Sequence, residues 1–404
     1  MYIERKRSMP KKIVIGITGS IAAFKAIQLI SDLTKTDYEL EVIMTKSACQ
    51  FVTPLSIQSL TKKKVYVDVF DDDIGHISHI DIVKGASLFM VVPASANTIA
   101  KLANGIADNM LTASFLAATC PKLIAPAMNV NMYQNRATQR NINQLKKDGV
   151  LFVEPDTGLL ACGVVGKGKL ADFATIRLMM DYALSEHPLL GKKVLVSAGP
   201  TQESLDPVRF ISNHSTGKMG YAIARAAFLL GAQVKIISGP VNITLPLVEI
   251  EHITTANEMY DALVNLAPFY DYIIMSAAVG DYRAEHIAEN KIKKSDDTLT
   301  ITFNKNRDIL QALGENKKDN QVICGFAMET ENLLENAKKK LINKNADMIV
   351  ANSLTEQGAG FGTDTNIVTF ITRDGHESLK KSSKEELGFK ILMKLKEIED
   401  EKCY

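Results

Sequence analysis

Short β-branched runs alternate with helix-length segments along this chain, and the alternation stops and restarts once. Ile13 to Thr18, Val42 to Thr45, Leu88 to Val92, Lys122 to Ala125 and Val150 to Val153 are apolar runs of strand length. The segments between them, such as Ile21 to Leu33, carry apolar residues at helical spacing. Buried strands joined by helical crossovers belong to a parallel sheet covered on both faces. Near Pro188-Leu189-Leu190-Gly191 the pattern ends. It restarts with Val194 to Ser197, a long polar, glycine-bearing loop from Ala198 to Gly217, and a helix from Lys218 to Leu230. Gln233 to Ser238, Tyr272 to Ser276, Val322 to Phe326 and Met348 to Ala351 continue it. A length of 404 residues also exceeds what one core usually supports. The expected fold is α/β: two doubly wound, mainly parallel-sheet, Rossmann-like domains in tandem, residues 1–190 and 191–404.

Composition excludes several function classes. A formal net charge of +1 gives no reason to expect nucleic acid or a membrane surface as partner. No apolar run reaches the roughly 18 residues of a spanning helix, and the basic start, Met1 to Lys12, has no h-region or cleavage site. Five scattered cysteines, Cys49, Cys120, Cys162, Cys324 and Cys403, fit a reducing cytoplasm and lack zinc-ligand spacing. The expected location is therefore cytoplasmic.

The stretch Pro126-Ala127-Met128-Asn129-Val130-Asn131-Met132-Tyr133 follows an apolar run, and so belongs at a strand's C-terminal end, where open α/β sheets bind ligands. It is apolar, amide-rich and uncharged, suited to a planar cofactor ring beside a small polar substrate. A capped strand-to-helix turn is the plain alternative. Gly19-Ser20-Ile21 offers backbone N–H groups and a hydroxyl for a phosphate. The three-glycine dinucleotide fingerprint is missing, so a mononucleotide fits better. Pro93 to Thr98 and Lys101 to Asn109 supply further small hydroxyls and amides.

Taken together, Gly19-Ser20-Ile21-Ala22, Pro93 to Thr98, Asn104 to Asn109 and Pro126 to Tyr133 resemble the homo-oligomeric flavin-containing cysteine decarboxylases. That family's signature usually closes with Trp, where this chain has Tyr133. The resemblance implies FMN, with Gly19, Ser20, Ile21, Thr45, Ser95, Asn97, Asn104 and Met128 as cofactor-binding residues. It implies His76 as the catalytic base for the substrate thiol, a role suited to a group that titrates near neutrality. Asn129 would hold the substrate carboxylate without an ion pair opposing loss of carbon dioxide. Cys162, between Ala161 and Gly163, would supply a proton from a substrate-covering loop. His79, Cys49 and Cys120 carry no such implication.

The second half runs from Gly199-Pro200-Thr201 through Asp206-Pro207-Val208-Arg209 to Asn213-His214-Ser215-Thr216-Gly217-Lys218, a polar loop opening a helix. With Ser276 to Tyr282 and Lys291 to Lys294, it resembles phosphopantothenate–cysteine ligase from about residue 191 onward. In bacteria the two families are fused in this order. The resemblance implies Asn213 at the acyl intermediate. It implies Ala277, Ala278, Asp281, Lys291, Asn306, Arg307, Asp308, Ile309, Leu310, Phe326, Lys340 and Lys344 around the nucleotide. The family often has Pro at the position of Arg307. Lys291 through Asp297 is polar enough for a flap, while Lys338, Lys339, Lys340 and Lys344 share a helix on which lysines are usually only solvated.

The implied sequence is ligation of L-cysteine to 4′-phosphopantothenate with CTP and Mg²⁺, then FMN-dependent decarboxylation to 4′-phosphopantetheine. The Mg²⁺ ligands are not legible beyond Asp281. A trimeric flavin domain and a dimeric ligase domain, combined as a dodecamer, are implied as well. The alternatives are a flavin-binding regulatory protein and a two-domain nicotinamide oxidoreductase.

Overall fold

The computed structural model describes residues 10–70, 78–159, 163, 165–293, 298–329, 332–353 and 362–402. His76, Cys162 and residues 294–297 of the expected flap lie outside them. The chain forms two compact units, Met1–Ser185 and Glu186–Tyr404.

In the first unit, β1 (Lys12–Ile17), α1 (Ala23–Leu33), β2 (Glu39–Met44), α2 (Pro54–Thr61) and β3 (Val65–Tyr66) come first, then α3 (Ser78–Asp81) and β4 (Ala86–Ala94). After them come α4 (Ala96–Ala103), α5 (Met110–Ala117), β5 (Lys122–Pro126), α6 (Val130–Gln134), α7 (Arg136–Lys147) and β6 (Leu151–Phe152). A hairpin of β7 (Asp156–Leu159) and β8 (Val165–Lys169) precedes α8 (Phe173–Ala183). The sheet order is β3-β2-β1-β4-β5-β6, every pair parallel. Alternation within β1 explains why: Ile13, Ile15 and Ile17 pack into one core with α1 and α8, while Val14 joins the opposite core with Phe89, Phe115 and Leu145. Each such side chain, removed from water, contributes about 1.5–3 kcal/mol.

The second unit repeats the plan. β9 (Lys193–Ala198), a ribbon of β10 (Gln202–Ser204) and β11 (Phe210–Ser212), α9 (Lys218–Leu229), β12 (Gln233–Ser238) and β13 (Glu249–His252) are followed by α10 (Ala256–Leu266) and β14 (Tyr272–Met275). A second ribbon, β15 (Tyr282–Ala284) with β16 (Phe303–Lys305), leads to α11 (Ile309–Glu315), β17 (Val322–Glu329), α12 (Leu333–Asn343) and β18 (Met348–Ser353). β19 (Thr365–Asn366), β20 (Val368–Ile371) and β21 (His376–Ser378) follow, then β22 (Ser382–Ser383) and α13 (Lys384–Lys402). The sheet order is β13-β12-β9-β14-β17-β18-β20-β21. Its first six strands are parallel, and β20 and β21 extend it antiparallel. The two doubly wound sheets agree with the fold expected from the alternation.

Two expectations need correcting. Residues 198–217 are not one loop, because β10 and β11 pair antiparallel within them. All three residues of β11 are exposed, so no burial pattern announces the strand. The first helix starts at Ala23, not Ile21, since Ile21 projects into solvent from the turn.

Candidate functional site

Both sheets place a pocket at the carboxyl ends of their central strands, where the strand order reverses. In the first unit, a buried hydroxyl closes the floor. Thr18 Oγ1 donates to the Pro93 carbonyl at 2.8 Å and accepts from Ser95 N–H at 2.8 Å, joining the ends of β1 and β4. Ser20 Oγ donates to the Ala127 carbonyl at 3.2 Å, which brings in the end of β5. Ser95 caps α4 by accepting from Thr98 N–H. Asn129 caps α6 by accepting from Asn131 N–H at 2.8 Å. The cap turns the Asn129 Oδ1 toward the start of the helix.

The resulting cavity, about 1210 Å³, is lined by Gly19, Ser20, Ile21, Thr45, Ser95, Asn97, Met128 and Asn129 among others. Seven of the eight residues expected at the cofactor therefore converge. Asn104 does not: it ends α4, exposed, and its Nδ2 donates to the Ala100 carbonyl at 2.7 Å. The volume exceeds the roughly 300–1,000 Å³ typical of small-molecule sites and has room for a cofactor with a substrate. Ile21, Phe24, Phe51, Met110, Met128 and Leu159 give it apolar walls. The turns after β1, β4 and β5 are neutral donors, while Lys46 and Asp68, just past β2 and β3, pair with each other, and Lys101 pairs with Asp108. This donor set fits a flavin mononucleotide: N–H and hydroxyl groups for the phosphate, and apolar and thioether surface for the ring.

The β7–β8 hairpin docks on the same turn. Met128 N–H donates to the Gly168 carbonyl at 3.0 Å, and a Cβ at Gly168 would strike the Met128 carbonyl. A carboxylate anchors it from outside. Glu154 accepts from Tyr133 Oη at 2.7 Å, Lys146 Nζ at 2.8 Å and Lys167 Nζ at 2.8 Å. Burial alone would raise the Glu154 pKa, but these three donors pull it down to about 2. Burial and the Glu154 charge together push the Tyr133 hydroxyl well above its ordinary value. Tyr133 thus uses a hydroxyl that the family's Trp lacks.

The second pocket, about 500 Å³, is held by a comparable inner layer. Ser197 and Thr201 are fully buried. Ser197 Oγ accepts from Ala277 N–H at 3.1 Å, and Thr201 Oγ1 from Gly280 N–H at 2.9 Å, which shapes the turn after β14. Asn213 Nδ2 donates to the Ala278 carbonyl at 3.0 Å. Gly199 and Gly217 both adopt positive φ and lie against each other and Val241, a backbone path that favours glycine where β9 leads toward α9. Asn306 is buried: its Nδ2 donates to the Gly280 carbonyl at 2.8 Å, and its Oδ1 accepts from Arg283 at 2.9 Å.

Asn213, Ala277, Ala278, Asp281, Asn306 through Leu310, Phe326 and Lys340 all line this pocket. Lys340 Nζ donates to the Phe326 carbonyl at 2.8 Å. Lys344 is not on the lining. It sits just past the end of α12, bonded to Asp308 at 2.7 Å and Gln311 at 3.1 Å. Burial would raise the Asp308 pKa, yet Lys344 and Gln311 N–H hold it below its ordinary value. Arg307 lines the pocket while its guanidinium stacks 3.8 Å from the Tyr260 ring and pairs with Asp261. Lys291 is exposed and outside the lining.

Several pocket residues carried no sequence signal. Asn352 is one: its Oδ1 is buried without a hydrogen-bond partner among the described residues, an acceptor facing a pocket. Lys384 is another, buried at the start of α13, its pKa lowered chiefly by burial. Both come from distant segments. Thr18, Ser197 and Thr201 were discernible only as small hydroxyls beside strand ends. Among the described residues no cluster of three His, Cys, Asp or Glu side chains suits a metal ion, and no helix is long and apolar enough to cross a membrane.

Comparison with known proteins covers both units. A family model described as Flavoprotein matches residues 1–184. One described as DNA/pantothenate metabolism flavoprotein C-terminal domain matches residues 189–398. The coenzyme A biosynthesis bifunctional protein CoaBC of Bacillus subtilis is 47% identical over 392 residues, 95% of this chain and 96% of its own. The protein of that name from Vibrio parahaemolyticus is 41% identical, over 96% of this chain and 98% of its own. The crystal structure of a CoaBC C-terminal domain is 40% identical and covers 53% of this chain and 100% of its own, with a TM-score of 0.46.

Proposed function

This chain belongs to the family of bifunctional coenzyme A biosynthesis proteins, and from that premise we propose how its two pockets divide the work. It is an enzyme with a flavoprotein decarboxylase activity and a ligase activity. The boundary between them is proposed near residue 190. One observation carries the division: one chain pairs a large pocket whose turns after β1, β4 and β5 carry no charged side chain with a smaller pocket whose turns after β14 and β16 carry Asp281, Arg307 and Asp308.

The second pocket is the ligase site. 4′-Phosphopantothenate attacks the α-phosphorus of CTP through its carboxylate, releasing pyrophosphate and forming an acyl-cytidylate. The amine of L-cysteine then attacks the acyl carbon, CMP leaves, and the amide remains. Asn213 orients the acyl group, and Ala277, Ala278, Asn306, Arg307, Asp308, Ile309, Leu310 and Phe326 enclose the nucleotide. Lys340, with Lys291 and Lys344, offsets phosphate charge, the largest electrostatic demand of such a step. The tandem arrangement supports CTP as the nucleotide. Mg²⁺ travels with the triphosphate and keeps most of its own water, so a dedicated cage of side chains is not required; Asp281 is the carboxylate placed to meet it.

The first pocket is the decarboxylase site. Gly19, Ser20, Ile21, Thr45, Ser95, Asn97 and Met128 hold FMN, with Asn104 behind them at the end of α4. When bound, FMN supplies a reversible two-electron acceptor that makes the carbon beside the carboxylate-bearing centre an electron sink and is itself restored. Asn129 holds the substrate carboxylate by a neutral amide donor, so no cation stabilises the group that must leave as carbon dioxide. His76 takes the proton of the substrate thiol, and Cys162 returns a proton to carbon. The large apolar residues exposed at this pocket, Ile21, Phe24, Phe51 and Leu159, support closure by further copies of the chain. A trimeric first unit, a dimeric second unit and a dodecamer satisfy that need. The location is cytoplasmic.

Incubating the chain with 4′-phosphopantothenate, cysteine, CTP and Mg²⁺ tests the whole reading. The expected product by mass spectrometry is 4′-phosphopantetheine, with one CMP per turnover. Product formed equally well with the nucleotide omitted would refute the ligase assignment. A colourless chain that takes up no FMN would refute the decarboxylase assignment.

A further inference from the structure

Asp206 is buried, with a fully enclosed carboxylate, yet it lies outside the pocket lining. Its Oδ1 accepts from Val208 N–H at 2.7 Å and Arg209 N–H at 2.7 Å, which builds the turn that leads into β11. That turn needs only one oxygen. The other, Oδ2, accepts from the backbone N–H of Ile292 at 3.1 Å, a residue from a distant part of the sequence. The neighbouring Leu205 carbonyl accepts from Ala288 N–H at 3.0 Å. Residues 288–292 are thus pinned at both ends to the 205–209 turn, and Lys291 lies between the pins. On the other side, the turn runs through β11 directly into Asn213, whose side chain lies on the Ala278 carbonyl in the pocket.

We propose that Asp206 is a positioning residue of the ligase site, holding the segment that carries Lys291 in register with the segment that carries Asn213. The inference rests on the ligase reading above and deepens it. The carboxylate suits the task because it accepts from both segments at once, and a charged acceptor makes the stronger bond. Burial would raise its pKa, but the N–H groups of Val208, Ile292 and Arg209 outweigh that and keep it ionised. Arg209 adds a weaker contact, 3.6 Å from Oδ2.

Asp206→Asn separates the two bonds. The amide keeps one carbonyl oxygen for Val208 and Arg209, but sets an NH₂ group against the Ile292 N–H, so two donors face each other. In the full chain the expected result is a rise in the KM for CTP of about tenfold, the scale of one charge-assisted hydrogen bond. The kcat should fall by less than the KM rises, and decarboxylation of added 4′-phosphopantothenoylcysteine should be unchanged. Hydrogen–deuterium exchange should speed up across residues 286–293 and stay slow across 205–211. A lower melting temperature and kcat with an unchanged KM would mark a purely structural carboxylate and overturn the proposal. So would wild-type kinetics.

If Asp206→Asn does not fold, Ile292→Pro removes the same donor from the opposite partner without touching the turn or Arg209. A raised KM for CTP there supports the coupling, and an unchanged KM overturns it. Wild-type chain that forms no amide with CTP would instead fell the ligase reading, and this inference with it.

Discussion

The two units follow the same strand order through their first six strands and then solve opposite electrostatic problems. In the first, the turns after β1, β4 and β5 present hydroxyls, amides and a thioether. In the second, the turns after β14 and β16 bring in Asp281, Arg307 and Asp308, and α12 brings in Lys340. A carboxylate that must leave as carbon dioxide is best held by a neutral donor, whereas a triphosphate needs compensating charge. The backbone plan sets where ligands sit; the few residues just past each strand set which chemistry the place can support.

The comparison can be broken most forcefully in the first unit. His76→Asn should reduce decarboxylation by about 10²–10⁴-fold, the usual weight of a general base, while the variant remains yellow and still ligates. Wild-type decarboxylation by it would remove His76 from the chemistry. Asn129→Asp places a charge where the turn is neutral. At about 4 Å and an effective dielectric near 20 the repulsion is about 4 kcal/mol, roughly 10³-fold in substrate affinity or rate. A smaller loss than tenfold would show that neutrality there is incidental.

In the second unit, Lys344→Ala leaves the Asp308 carboxylate uncompensated at the proposed nucleotide pocket and should raise the KM for CTP about tenfold. Raising the ionic strength should weaken CTP binding more than phosphopantothenoylcysteine binding, because both ligands are anions but only the first is proposed to sit on turns that carry charged side chains. Equal salt sensitivity at both sites would erase the contrast drawn here.

The smallest effect sharpens the comparison through stability. Glu154 has a folded-state pKa of about 2, below its ordinary 4.5. Its stabilisation is therefore present above pH 4.5 and lost as pH falls from there toward 2. The side chain is 44% exposed, so solvent screening limits the gain to about 1 kcal/mol. Glu154→Gln should lower the melting temperature of the first unit by about 2–4 °C at pH 7, with the gap closing in acid. A gap that widened as pH fell would reverse the sign and refute the assignment.

How far the chain could be read depended on burial. β1, β4, β9 and β12 were legible because β-branched residues packed on both faces leave near-continuous apolar runs. The β10–β11 and β15–β16 ribbons were not, since their residues alternate little and stay mostly exposed. Residues on strand-end turns, such as Ser20, Met128 and Ala277, could be placed because topology dictates where those turns lie. Asn104, Lys291 and Lys344 could not, because long or terminal side chains go wherever tertiary partners hold them. Asn352 and Lys384 reach the second pocket from segments that no local pattern associates with it.

The bond from Met128 to the Gly168 carbonyl has an optical consequence. It ties the hairpin to Met128, which lines the pocket proposed to hold FMN. Any shift of the hairpin as substrate arrives must then perturb the chromophore's surroundings. The visible absorption band of the holoenzyme becomes a built-in gauge of hairpin docking, and a stopped-flow trace of that band would time substrate capture without an added dye.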